Sequence, residues 1–233
     1  MSESYNPGPV NPVSPAVVAL FLAMLVIEIA FTLGNQGVVG GPGAVGWRAA
    51  AIQAYGFNGP VFDWMVTQGR WPTEHVMRFV TYLFVHGSIT HMVVAGVILL
   101  ALGKFVGDVF AWWAVLVVFF GAGIGGAAVW GLVLDDPRYL IGAFPGVYGL
   151  IGAFTYVIWL RLGQTGESRA RAFALIGMLA VIQLVFGLYY FMIGVDGGTE
   201  WLADLAGFGC GFLLSFVVSP GGWQRLREKL RHD

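Results

Sequence analysis

The sequence predicts an all-α, polytopic membrane protein built on six spanning helices. Three observations carry that reading. Of the 233 residues, 58% are hydrophobic and 11% charged, with a mean hydropathy of +0.77; the surface of an ordinary soluble domain needs more charge than this. Apolar runs of about 20 residues, the length that crosses about 30 Å of hydrocarbon, recur along the chain. The charged residues gather between those runs. Net charge is −1 and no basic patch alternates with aromatic residues, so nucleic acid is not an expected partner.

Taken in order, residues 1–13 carry Pro, Asn and Ser but no Lys or Arg, and no AxA-like cleavage site follows the first apolar run. They are expected to form a disordered cytoplasmic tail. A membrane domain is expected over 14–220, and a basic cytoplasmic tail over 221–233. The spans fall near Ser14 to Leu33, Ser88 to Lys104, Phe110 to Leu134, Tyr139 to Leu160, Arg171 to Val195 and Trp201 to Ser219. Six crossings put both termini on one side. That side holds Lys104, Arg161, Arg169, Arg171, Arg225, Arg227, Lys229 and Arg231, which is eight basic residues, against Arg48, Arg70, Arg78 and Arg138, which is four. Because Lys and Arg near span ends stay cytoplasmic, both termini are expected to be cytoplasmic, in a bacterial inner membrane. The single Cys210 can form no internal disulfide and reads as a small buried thiol.

The segment from Gly34 to about Met77 is too long for a structureless loop, so it should hold short helices. GWRAAAIQAYGF and PVFDWM space their apolar residues helically, with Trp47, Tyr55, Phe62 and Trp64 suited either to the headgroup zone or to packing on protein. The fourth span is unusual, since Pro145 sits well in the first turn of a helix and poorly in its interior. A helix beginning there has roughly 16 residues, about 24 Å, before Arg161, which is short of a full crossing. Tyr139 to Phe144 would then enter the membrane as non-helical backbone beside a cavity. The plain alternative is an ordinary kinked helix.

Glu28, His86, His91 and Asp204 all fall near the outer ends of spans. Ionisable groups at that depth are costly and tend to face one another or a wet cavity, which makes them a site or a structural cluster that holds helices together. His86 and His91, five residues apart, point about 140° from each other on a helix, unlike a metal-binding pair at three or four. No HExxH or Cys/His cluster is present, and neither a metal nor a cofactor is expected. The flanks LVIEIAF and WLADLAGF lack the patterns of intramembrane aspartyl proteases.

Three stretches together resemble the rhomboid family of intramembrane serine proteases. Arg78-x-x-Thr81-Tyr82-x-Phe84-x-His86-x-Ser88-x-x-His91 is similar to the entrance of the family's second core helix. Gly142-Ala143-Phe144-Pro145-Gly146-Val147-Tyr148-Gly149 looks like its GxSG helix, and Ala203-Asp204-Leu205-Ala206-Gly207 with Gly211 like its AHxxG helix. The resemblance covers nearly the whole chain and implies a six-helix bundle with a partly helical first loop and a fourth helix that starts inside the membrane. The departures fall on the chemistry. Phe144 stands at the nucleophile position with Pro145 for the following Gly, Asp204 replaces the catalytic His, and Ala95 replaces the Asn of HxxxxHxxxN. The acidic residue implied after span two is Gly107, with Asp108 one place late. Phe has no nucleophilic atom, Asp cannot act as a neutral imidazole base, and Ala offers the oxyanion no donor.

The resulting expectation is a rhomboid-like pseudoprotease with no catalytic residue. His86, His91 and Tyr148 line a vestigial cavity, while Arg78, Gly142, Pro145, Gly207 and Gly211 serve the fold. Arg78 is expected to hold the first loop by hydrogen bonds, and the small-residue pairs Gly142/Gly146, Gly149/Gly152 and Gly207/Gly211 to let spans four and six approach. Non-catalytic relatives in the family, the iRhoms and derlins, bind transmembrane clients, so the implied partners are the lipid bilayer and single transmembrane helices. Two alternatives stay open: an endopeptidase with a rearranged site around Glu28, His86, His91 and Asp204, and a small proton-coupled transporter using Glu28 and Asp204.

Overall fold

The computed structural model describes residues 12–192, 198–222 and 224. Most of the two expected tails, residues 1–11 and 225–233, lies outside this set, as does the end of the fifth apolar run. Among the described residues six helices are long and apolar enough to cross a membrane. In chain order the helices are α1 (Pro15–Asn35), α2 (Trp47–Tyr55), α3 (Gly59–Gln68), α4 (Thr73–Val76), α5 (Arg78–Thr81), α6 (Ile89–Gly107), α7 (Trp112–Val133), α8 (Phe144–Thr165), α9 (Ala174–Met192) and α10 (Trp201–Val218). Prolines sit at the starts of α1, α3 and α8, where the missing N–H has no intrahelical partner to lose. Ser88 caps α6 by accepting the His91 backbone N–H at 3.2 Å.

The long first loop is folded. Between α2 and α3 a two-residue strand, β1 (Phe57–Asn58), pairs antiparallel with β2 (Tyr139–Leu140), so part of the predicted fourth span is sheet. The Asn58 side chain caps α3 through the Val61 N–H, and α3 stops at left-handed Gly69. Phe57 packs edge-on against Phe79 and Trp130, and Phe62 against Phe79, tying the loop to α7. Gly131 leaves room for this, because a Cβ there would stand 2.8 Å from the Phe62 ring. Phe62 is buried, whereas Trp47, Tyr55 and Trp64 are exposed.

One expectation about α8 needs correcting. The helix begins at Phe144 with Pro145 in its first turn, but it does not end at Arg161. It continues to Thr165 and stops at left-handed Gly166, giving 22 residues and about 33 Å of helix. The one-turn extension past Arg161 contains Gln164 and Thr165, whose polarity reads as loop in a scan for apolar runs. Thr165 stays helical by bonding its hydroxyl back to the Leu162 carbonyl at 3.1 Å.

α8 is the central helix, with 56% of its most apolar stretch buried, and the segment Arg169–Phe186, which holds the first part of α9, is peripheral, with 11% buried. Close packing of α8 on α10 depends on glycine. A Cβ on Gly152 would collide with the Phe208 carbonyl, one on Gly207 with the Pro145 carbonyl, and one on Gly211 with the Gly149 carbonyl. Gly149 in turn faces Ala122 of α7, and Gly146 faces Phe119. Backbones meet where side chains would hold them apart.

Candidate functional site

The site is set by the start of α8 and the turn before α6. The 3-10 turn Tyr82–Phe84 carries the chain to His86, and Tyr82 is pinned by its hydroxyl donating to the Gly123 carbonyl of α7 at 2.8 Å. The Tyr82 carbonyl accepts the Gly142 N–H at 2.9 Å, which fixes the segment leading into α8. Gly142 has φ +100°, and a Cβ there would stand 2.5 Å from His91 Nε2. Only glycine suits that backbone.

His86 is fully buried and outside the spanning helices. Burial first and the neighbouring His91 second push its pKa down to about 4, so it is neutral at pH 7. Its Nε2 accepts the Ala143 N–H at 3.4 Å, one residue before α8. Its Nδ1 is buried, and the Phe84 backbone beside the ring partly offsets the downward shift. The His86 and His91 rings meet edge to face at 5.1 Å. His91 then stacks on Phe144, with centroids 5.2 Å apart and planes 17° apart. Three rings therefore occupy the head of α8.

Glu28 and Asp204, which the sequence places at similar depth, belong to two separate polar groups. Glu28, buried on α1, receives both terminal nitrogens of Arg48 at 2.9 and 2.6 Å, and Arg48 also donates to the His86 carbonyl at 2.6 Å. The pair clamps α1, α2 and the turn before α6 together. Asp204, buried on α10, accepts from Gln183 Nε2 of α9 at 3.1 Å, and Tyr148 of α8 also interacts with the Gln183 side chain. Ala95 is completely buried among apolar neighbours. Arg78 stands away from this centre: it donates to the Gly56 carbonyl at 3.3 Å while its buried Nε has no hydrogen-bond partner among the described residues. Thr81 donates to the Tyr55 carbonyl at 2.9 Å beside it. Pro145, Gly207 and Gly211 lie in the α8–α10 seam.

Sequence reasoning missed Arg48, Ala143 and Gln183. Arg48 entered only as an orientation charge, although a carboxylate inside a span signals a cation somewhere nearby. Gln183 is the one strongly polar side chain in ALIGMLAVIQLVFGLYYFM, and an amide at that depth seeks a partner. The Ala143 backbone donor leaves no mark in a sequence.

What this arrangement can do chemically is limited. The head of α8 carries an aromatic ring in place of a hydroxyl, and its nearest imidazole is stacked on that ring. The Ala143 N–H is already taken by His86. Among the described residues no group of three or more His, Cys, Asp or Glu lies close enough to hold a metal ion. In comparison with known families, the model of the rhomboid domain matches residues 73–221, well over half of the chain and all of the segment from α4 to the end of α10.

Proposed function

The chain belongs to the rhomboid family of membrane proteins, and from that premise we propose that it is a catalytically silent member that binds transmembrane segments of client proteins. The observation that carries the reading is the stack of His91 on Phe144 at the head of α8. A serine protease needs an oxygen nucleophile there with a base in reach, and neither is supplied by a phenyl ring and a stacked imidazole. Asp204 supports the same reading, because it bonds an amide of α9 and no imidazole. Client binding is supported by the outer half of α9, where Leu184, Val185, Phe186 and Leu188 are exposed. A family fold that keeps an open apolar flank without the chemistry fits recognition of a helix in lipid.

Two measurements test the two halves of this reading. Purified wild type should not react with a fluorophosphonate probe, and Phe144→Ser with Asp204→His should remain inert. Pro145 still lacks an N–H, the Ala143 N–H is still engaged by His86, and Ala95 leaves the oxyanion short of a donor, a loss typically of about a hundred- to a thousand-fold. Cleavage of a transmembrane substrate by wild type, abolished in His91→Ala, would overturn silence and support a rearranged endopeptidase. Photo-crosslinkers at Phe186 and Leu188 in native membranes should capture single-span segments. Capture of lipid alone would remove the client half.

A further inference from the structure

α2 is held at both ends by polar bonds. At its start Arg48 binds Glu28 of α1 and the His86 carbonyl. At its end the Tyr55 carbonyl accepts the Thr81 hydroxyl at 2.9 Å, and the next carbonyl, that of Gly56, accepts from Arg78 at 3.3 Å. Between these tethers no residue of α2 is buried. The helix bridges α1 and the turn before α6 without packing down on them, and a groove of about 410 Å³ lies beneath it. Its lining is Ala30 and Phe31 of α1, Ala51 and Tyr55 of α2, and Phe84 and Val85 on the approach to His86, together with Thr81.

The lining decides what can lie there. A water in a cavity needs two to four polar partners, and the Thr81 hydroxyl in this groove is already engaged by the Tyr55 carbonyl. The groove suits an apolar occupant. It is also continuous with lipid, because Leu22, Val26 and Ala30 recur every four residues along one exposed face of α1. With 21 residues, α1 is about 31 Å long, close to the thickness of the hydrocarbon core. Ala30 therefore lies about 7 Å inside the loop-bearing end of that helix. Acyl chains occupy this depth. A guest helix is too wide for the space, since a cylinder about 10 Å across fills 410 Å³ within about one helical turn.

We propose that the groove under α2 binds one acyl chain of a phospholipid from the loop-bearing leaflet, and that the bound chain braces the turn that carries His86. The acyl chain enters sideways from the exposed face of α1, so the lipid keeps its headgroup at the interface, where the exposed Trp47 and Tyr55 also belong. Phe84 and Val85 then pack on acyl carbon. The next residue is His86, whose Nε2 accepts the Ala143 N–H at the head of α8. Lipid in this way supplies the packing that α2 does not. The site takes no residue from α9 and does not rest on client binding.

Photolabelling of the full chain in phosphatidylcholine nanodiscs, doped with phosphatidylcholine that carries a diazirine in one acyl chain, tests this. Label should appear at Ala51 and Phe84 and saturate as the probe fraction rises. At Val26, on the open face of α1, it should keep rising in proportion. Ala51→Trp, which fills the groove from its roof, should lose the label at Phe84 and keep that at Val26. Wild type stripped of lipid in detergent should melt about 2–4 °C higher once phosphatidylcholine is restored, and Ala51→Trp should not respond. The proposal is overturned by absent or merely proportional label at Phe84 in wild type, by label there that survives in Ala51→Trp, or by a melting temperature indifferent to lipid. Displacement of the label by free palmitate or by a single-span peptide, but not by unlabelled phospholipid, also overturns it. Saturation in wild type decides the matter even if Ala51→Trp does not fold.

Discussion

At the scale of single residues, the buried polar side chains at the head of α8 act chiefly through one another and through backbone. His86 is the clearest case. It must be neutral for Nε2 to accept the Ala143 N–H, and burial keeps it so by lowering its pKa to about 4. In the unfolded chain the same imidazole titrates near 6.5. The unfolded state therefore binds the extra proton first as pH falls, and stability from this residue is intact above about 6.5 and lost progressively toward 4. A difference of about 2.5 pKa values corresponds to about 3 kcal/mol at pH 4. Melting in detergent from pH 7.5 to 4.5 should show this loss in wild type and a flatter profile in His86→Gln, which keeps an acceptor and removes the titration. Parallel profiles would mean that His86 is not the group responsible. Outside the spans Asp136 has the same sign but a lower window, its contribution being lost only in stronger acid. Hydrogen bonds from Arg138 hold its carboxyl well below the usual carboxylate range, and Thr199 adds another at 2.6 Å, so this anchor between the α7–β2 loop and the approach to α10 survives mild acid.

At the scale of elements, the fold was legible wherever one segment's own chemistry decided it. Six apolar runs became six long helices, and Pro145 marked the start of α8, because hydrocarbon leaves a backbone few ways to bond. What required a partner was hidden. The β1–β2 pair joins residues about eighty apart, and neither two-residue strand has a pattern of its own. The end of α8 was hidden because a turn of polar residues can be helix once it leaves lipid. The candidate site divided likewise: Phe144, Asp204 and His91 could be named from spacing, whereas Arg48 and Gln183 matter only through what they touch. The α8–α10 seam offers a test within one helix. Gly211 meets the Gly149 backbone, while a Cβ on Gly209 meets nothing within 4 Å. Gly211→Ala should push the helices apart and lower stability by about 1–3 kcal/mol, the usual range for overpacking. Gly209→Ala should be neutral or stabilising by up to about 1 kcal/mol, since alanine is the better helix former. Equal effects of the two on thermal melting would show that the seam is not the tight contact described.

At the scale of the whole molecule, the distribution of basic residues predicts an orientation in the bilayer by a narrow margin that the described residues alone do not supply. The loop-bearing end holds Arg48, Arg70, Arg78 and Arg138, and the opposite end holds Lys104, Arg161, Arg169 and Arg171, so the two ends tie at four each. Acidic partners do not break the tie, because Asp and Glu contribute little to topology even where they pair with these cations, as in Glu28 with Arg48 and Glu167 with Arg171. Exposed tryptophans do not break it either: Trp47, Trp64, Trp71 and Trp201 mark one interface and Trp112 and Trp113 the other, and aromatic belts occur on both sides of a membrane. Counting Arg225, Arg227, Lys229 and Arg231 in the tail gives eight against four, which predicts a cytoplasmic position for the end opposite the loop. Single cysteines at exposed positions on either end, Gln68→Cys and Ser168→Cys in a Cys210→Ala background, read this out with a membrane-impermeant maleimide. Position 68 should be labelled from outside intact cells and position 168 only after the membrane is opened. Replacing the four basic tail residues with Gln should leave a mixture of the two patterns, because the remaining charge no longer favours either side. Labelling of position 168 from outside in the unaltered tail background would reverse the topology and place the head of α8, with His91 and Phe144, toward the cytoplasm.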